Sequence, residues 1–160
     1  MINFDEINFD DKLKSNKAPS YEDVCKLAVE LNTKFDLVFG GSFGLKLYDK
    51  LRNRPISDID LIFSSNHDEY EKILEYLDKK YTLSKESSGD NSEIKVIITY
   101  ITNNNVKIDV VILKCDKINY NVIGEYKVHQ LNEIIKAKQE LILNNKHILD
   151  LNYILENLKY

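Results

Sequence analysis

Apolar positions along the chain alternate between two spacings, and each change of spacing marks a new element. Val24, Leu27, Ala28 and Leu31 recur at helical intervals behind Ser20 and Asp23, a capping-box pair, so a helix is expected over 20–34. Phe35–Phe39 reads as a short buried strand, and Phe43, Leu47, Tyr48 and Leu51 place one helical face over 42–53. At Asp58–Phe63 the period drops to two, with Ile59, Leu61 and Phe63 on one side of a strand. Tyr70, Ile73, Leu74 and Leu77 define a helix over 67–80, with Asn66 as its candidate cap. Tyr81–Lys85 is a weak strand, and residues 87–92 form the clearest loop of the chain. Ile94–Thr102 and Val106–Leu113 are β-rich runs joined by Asn103–Asn105, a hairpin whose turn residues tolerate positive φ. Tyr120–Val128 reads as a short edge strand. From His129 the pattern is helical again, giving a pair of helices over 129–143 and 146–159.

These elements add up to an α+β protein: a mixed sheet flanked by helices, with a C-terminal helical pair. No repeat or linker divides it, so residues 1–160 form a single domain, with a sheet core over 35–113 and a helical tail over 129–160. Ile2, Phe4, Ile7 and Phe9 offer a short packing arm before the first helix.

Composition narrows the picture. The chain of 160 residues carries a formal net charge of -4, and its 22 basic residues include arginine only at Arg52 and Arg54. That balance excludes a broad cationic stripe for gripping a nucleic-acid backbone, while leaving room for a local basic cleft. Cys25 and Cys115 form neither a CxxC pair nor a disulfide framework, and both read as buried free thiols. No apolar run approaches the roughly 18 residues of a membrane span, so a soluble cytoplasmic protein is expected.

Chemistry concentrates in two places. Asp58 and Asp60 are two apart in a strand and therefore project from one face. Side-by-side carboxylates repel, and a hard divalent cation such as Mg²⁺ or Mn²⁺ relieves the repulsion. Asp109 lies opposite the apolar face made by Val106, Ile108, Val110 and Ile112, and joins the first two acids if the strands are neighbours. Three carboxylates can hold two ions about 3.5–4 Å apart, the spacing that clamps both oxygens of an in-line phosphoryl displacement. Just upstream, Gly40 and Gly41 let backbone approach a ligand closely, Ser42 adds a hydroxyl, and the amides opening the next helix favour an anion. A D-x-D pair alone is common on exposed strands, and a Gly-Gly turn alone is common after them. Their order along one chain is what points to phosphate chemistry.

This order resembles the nucleotidyltransferase superfamily with the DNA polymerase β-like fold. Phe39–Gly40–Gly41–Ser42 matches its strand–glycine–helix element, Ile56–Ser57–Asp58–Ile59–Asp60–Leu61 its paired acids, and Ile108–Asp109–Val110 its third acid. The spacing between Gly41 and Asp58, with Arg54–Pro55 ahead of the acids, is similar to AbiEii-type and small antibiotic nucleotidyltransferases. Lys138 and the Lys146, His147 and Asp150 stretch resemble their C-terminal helical element.

The resemblance implies an enzyme moving a nucleoside monophosphate from an NTP to a hydroxyl acceptor, either a small molecule, a protein or a tRNA. It assigns both metals to Asp58 and Asp60, and one metal plus the acceptor's proton to Asp109. Gly40, Gly41 and Ser42 would bind the β- and γ-phosphates, with Lys138 and Arg54 as cationic helpers. A catalytically silent nucleotide-binding or regulatory module of the same fold is the alternative. Of the remaining candidates, His67 reads as solvent-facing and His129 as lacking a partner at ligand spacing. Tyr48 lies nearest the site among the tyrosines.

Overall fold

Helix α1 (Tyr21–Lys34) begins where its sequence caps it. The Ser20 Oγ accepts the Asp23 amide at 3.1 Å, and the Asp23 carboxylate accepts the Ser20 amide at 3.2 Å. The computed structural model to which this helix belongs describes residues 19–49, 55–88 and 93–140. After α1 the chain runs β1 (Val38–Gly40), α2 (Gly41–Leu47), β2 (Asp58–Ser64), α3 (Glu69–Lys80) and β3 (Thr82–Ser88). Then follow β4 (Ile94–Ile101), β5 (Lys107–Leu113), β6 (Tyr120–Ile123), β7 (Tyr126–His129) and α4 (Leu131–Glu140).

The strands form one sheet in the order β3-β4-β5-β2-β1-β7-β6. β2 with β5 and β1 with β7 pair in parallel, and every other neighbouring pair is antiparallel. The expected α+β class, a mixed sheet flanked by helices, is borne out.

Alternation decides which face is covered. Ile59, Leu61, Ile108 and Val110 are wholly buried on one side, packed with Val24, Ala28 and Leu31 of α1 and Ile73 and Leu77 of α3. Full burial of each such aliphatic is worth about 1.5–3 kcal/mol, so this layer anchors the central strands. Tyr100 joins it, its hydroxyl donating to Asp78 at 2.6 Å. A second, smaller core joins Leu45 of α2, Val128 of β7 and Ile134 of α4. That cluster seats α4 against α2, at the edge of the acidic face.

Several expectations are corrected. Tyr120–Val128 is no single edge strand: Gly124, at φ +60°, turns the chain so that Ile123 pairs with Tyr126 in a two-residue hairpin. Its second strand, β7, lies inside the sheet and includes His129, so α4 starts at Leu131 instead. Helix α2 ends at Leu47, where Tyr48 caps it and Asp49 turns at φ +59°. Asn66 does not cap α3; its amide donates to the Asp116 carboxylate, and Asp68 holds the cap position. The cysteines are half-buried rather than enclosed. The N-terminal arm, Arg54 and the 146–159 helix with Lys146, His147 and Asp150 lie outside the described residues.

Candidate metal and phosphate site

Strand pairing brings the acids together. Asp58 and Asp60 open β2 and, being two apart, leave the sheet on the same face. β5 lies parallel to β2 with Asp109 opposite Asp60, so its side chain emerges beside theirs. On the far side of β5, β4 sets Thr99 opposite Asp109; on the near side of β2, β1 sets Gly40 opposite Asp60. One row across four strands thus reads Gly40, Asp60, Asp109, Thr99.

Each of the three acids is half-buried, and each offers a carboxylate oxygen within 4.8 Å of those of the other two. Ligands around one Mg²⁺ sit about 2.0–2.1 Å from it, and a pair of ions spreads them further. The donor set is all oxygen and the spacing suits one ion or two, so the residues fit a hard divalent cation. Asp109 has a further partner that the sequence reading did not single out. The Thr99 hydroxyl, itself buried, donates to Asp109 Oδ1 at 2.6 Å. The hairpin carried the signal: Thr99 and Asp109 stand equally far from Asn104 on either side of the turn.

Gly41 lies against one of these acids, Asp60. Its φ is +57°, and a Cβ placed there would lie 1.7 Å from Asp60 Oδ2. The glycine therefore lets the turn sit directly against an acid, which a side chain would displace.

The next residue, Ser42, is buried and accepts a hydrogen bond from the Lys138 ammonium at 3.3 Å. Lys138 is only 4% exposed. A lysine is almost never that enclosed unless its charge has partners, so a cation held at the glycine–serine turn is an informative feature. Its burial follows from helix geometry: Lys138 is one turn beyond Ile134, the residue that docks α4 on Leu45 and Val128. The structure therefore unites Asp58, Asp60 and Asp109 with Gly40 and Gly41, and sets Ser42 beside Lys138.

Other candidates stand apart. Tyr48 donates its hydroxyl to the His129 carbonyl at 2.9 Å and so ties α2 to β7. His129 is enclosed, and burial pushes its imidazole below the usual histidine range, with Glu133 and Glu93 pulling the other way. His67 is exposed, its ring Nε2 3.0 Å from the Asp116 carbonyl oxygen. Among the described residues, no helix is long and apolar enough to cross a membrane.

No protein-family model matches the chain, and no curated protein does. Among solved structures it is similar to a candidate nucleotidyltransferase from H. pylori, at 20% identity and a TM-score of 0.41. That match covers 65% of this chain and 49% of the other. JHP933 from Helicobacter pylori aligns at 20% identity and a TM-score of 0.40, over 65% of this chain and 48% of its own. The chain thus spans about half the length of these solved structures. At such low identity and superposition, the reading of the site rests on its own geometry.

Proposed function

We propose that this protein is a metal-dependent nucleotidyltransferase that moves a nucleoside monophosphate from an NTP to a hydroxyl acceptor. The observation that carries the reading is the convergence of Asp58, Asp60 and Asp109 within 4.8 Å, on the face that Gly41 also adjoins. Asp58 and Asp60 would hold two Mg²⁺ or Mn²⁺ ions, with Asp109 sharing one of them. Bound there, the ions would neutralise phosphate charge and favour in-line displacement. Gly40, Gly41 and Ser42 form the turn on which the β- and γ-phosphates would rest, and Lys138 would steady them from α4. Arg54 is a second cation proposed for the same task. Asp109, one oxygen already held by Thr99, is the acid assigned to the acceptor's proton. The chain's contribution is positioning and charge complementarity, which need no covalent intermediate.

The small-molecule, protein and tRNA acceptors differ in size and charge, and the net charge of -4 favours the first two over a bulky polyanion. The test is incubation with each labelled NTP and Mg²⁺ or Mn²⁺ against acceptors of the three classes, with pyrophosphate release measured in parallel. Turnover that disappears in Asp58→Asn, Asp60→Asn and Asp109→Asn is the expected result. NTP binding without pyrophosphate release would instead mark a silent nucleotide-binding module, and absence of both would end the proposal.

A further inference from the structure

A carboxylate that shares a cation with two neighbouring acids has to present a given oxygen in a given direction. A lone aspartate at a half-buried position can rotate about its terminal bond and offer either oxygen. Asp109 is restrained, because Thr99 Oγ1 donates to its Oδ1 at 2.6 Å, the short distance of a charge-assisted O–H···O⁻ bond. Three features make the restraint firm. Thr99 is 7% exposed, so solvent does not readily replace its hydroxyl. Its β-branched side chain is stiff about χ1, and β4 holds its backbone directly across from Asp109. The bond also uses only part of the carboxylate's accepting capacity, since two oxygens offer about four lone-pair sites.

We infer that Thr99 is a positioning residue of the metal site, its hydroxyl orienting the Asp109 carboxylate so that the three acids bind a divalent cation together. The inference rests on the metal-site reading of Asp58, Asp60 and Asp109. Hydrogen-bond partners of metal ligands commonly set affinity by about 10–100-fold, because they fix the direction in which the ligand presents its lone pairs. The competing account makes the Thr99–Asp109 bond a means of satisfying two polar groups in the sheet. Under that account, loss of the hydroxyl changes folding stability and leaves cation affinity alone.

The two accounts separate in a Mn²⁺ titration of the full chain without nucleotide, with free ion followed by electron paramagnetic resonance. Thr99→Val keeps the shape and strand preference and removes the hydroxyl, and its Kd for Mn²⁺ is expected to rise by about 10–100-fold. Thr99→Ser restores the donor and is expected to bind close to wild type. Thr99→Ala carries the same expectation as the valine variant, should the latter fail to fold by circular dichroism. If the folded hydroxyl-less variants titrate as wild type while Asp109→Asn loses Mn²⁺, the positioning role is overturned and the metal site stands. If the wild-type chain takes up no Mn²⁺, the metal-site reading fails and this inference with it.

Discussion

Gly41 and Asp60 claim the same space. A methyl group on Gly41 would sit 1.7 Å from Asp60 Oδ2, and the backbone there has φ +57°. Gly41→Ala therefore combines left-handed strain, about 1–2 kcal/mol, with displacement of an acid. The expected outcome is a lowered melting temperature together with lost Mn²⁺ binding. Gly124 supplies the control, since its φ is +60° but nothing lies within 4 Å of an added Cβ. Gly124→Ala is expected to cost only the backbone strain, about 1–2 kcal/mol, with Mn²⁺ titration unchanged. The Gly-Gly pair was legible in the sequence as a place of close approach. Its immediate neighbour, the Asp60 carboxylate of the chain itself, could be identified only once β1 and β2 were paired.

Helix α4 works as a unit. Ile134 docks it and Lys138, a turn later, reaches the Ser42 hydroxyl. Hydrogen bonds to charged groups are worth about 1.5–3 kcal/mol, so Lys138→Met is expected to weaken NTP binding by about tenfold or more. Mn²⁺ affinity without nucleotide should be unaffected, and parallel titrations of NTP and Mn²⁺ check both. Just before α4, β7 ends at His129, whose burial pushes its imidazole below the usual histidine range. The folded pKa lies below the unfolded value of about 6.5, so the unfolded chain takes up the proton first. The stability contribution of His129 is thus complete above about pH 6.5 and is lost as pH falls through the lowered folded value. Urea denaturation at stepped pH should show this slope in wild type and a smaller one in His129→Gln.

Across the whole molecule, the acids and the helices that support them are fastened separately. At the α1–α3 seam, Glu30 accepts from Lys80 at 2.9 Å and from the hydroxyls of Tyr76 and Tyr81, each at 3.3 Å. The Lys80 hydrogen bond, foremost, holds the Glu30 carboxyl below its ordinary range, against a smaller opposing effect of burial. A lowered folded pKa means that this contribution is present above the unfolded value and fades as pH falls through the folded one. Glu30→Gln is expected to lower the melting temperature at neutral pH, to narrow its gap to wild type in acid, and to leave Mn²⁺ affinity unaltered. Thermal melts across pH with a parallel Mn²⁺ titration check this.

Local chemistry made much of this legible. The capping box, the alternation of Ile59 and Leu61, and the hairpin about Asn103–Asn105 each depend on residues close together in sequence, and each formed where the pattern placed it. The 120–129 hairpin was not read, since Tyr120–Val128 was expected as one strand, although Gly124 at φ +60° is a local turn signal. By itself the sequence determined which side chains face together within a strand, and therefore that Asp58 and Asp60 project from one face. Only the tertiary structure decided that β5 lies beside β2 with Asp109 opposite Asp60, and that α4 brings Lys138 to Ser42. Both depend on which distant surfaces bury one another, a choice made by the packing of the whole core, which no short stretch of residues encodes.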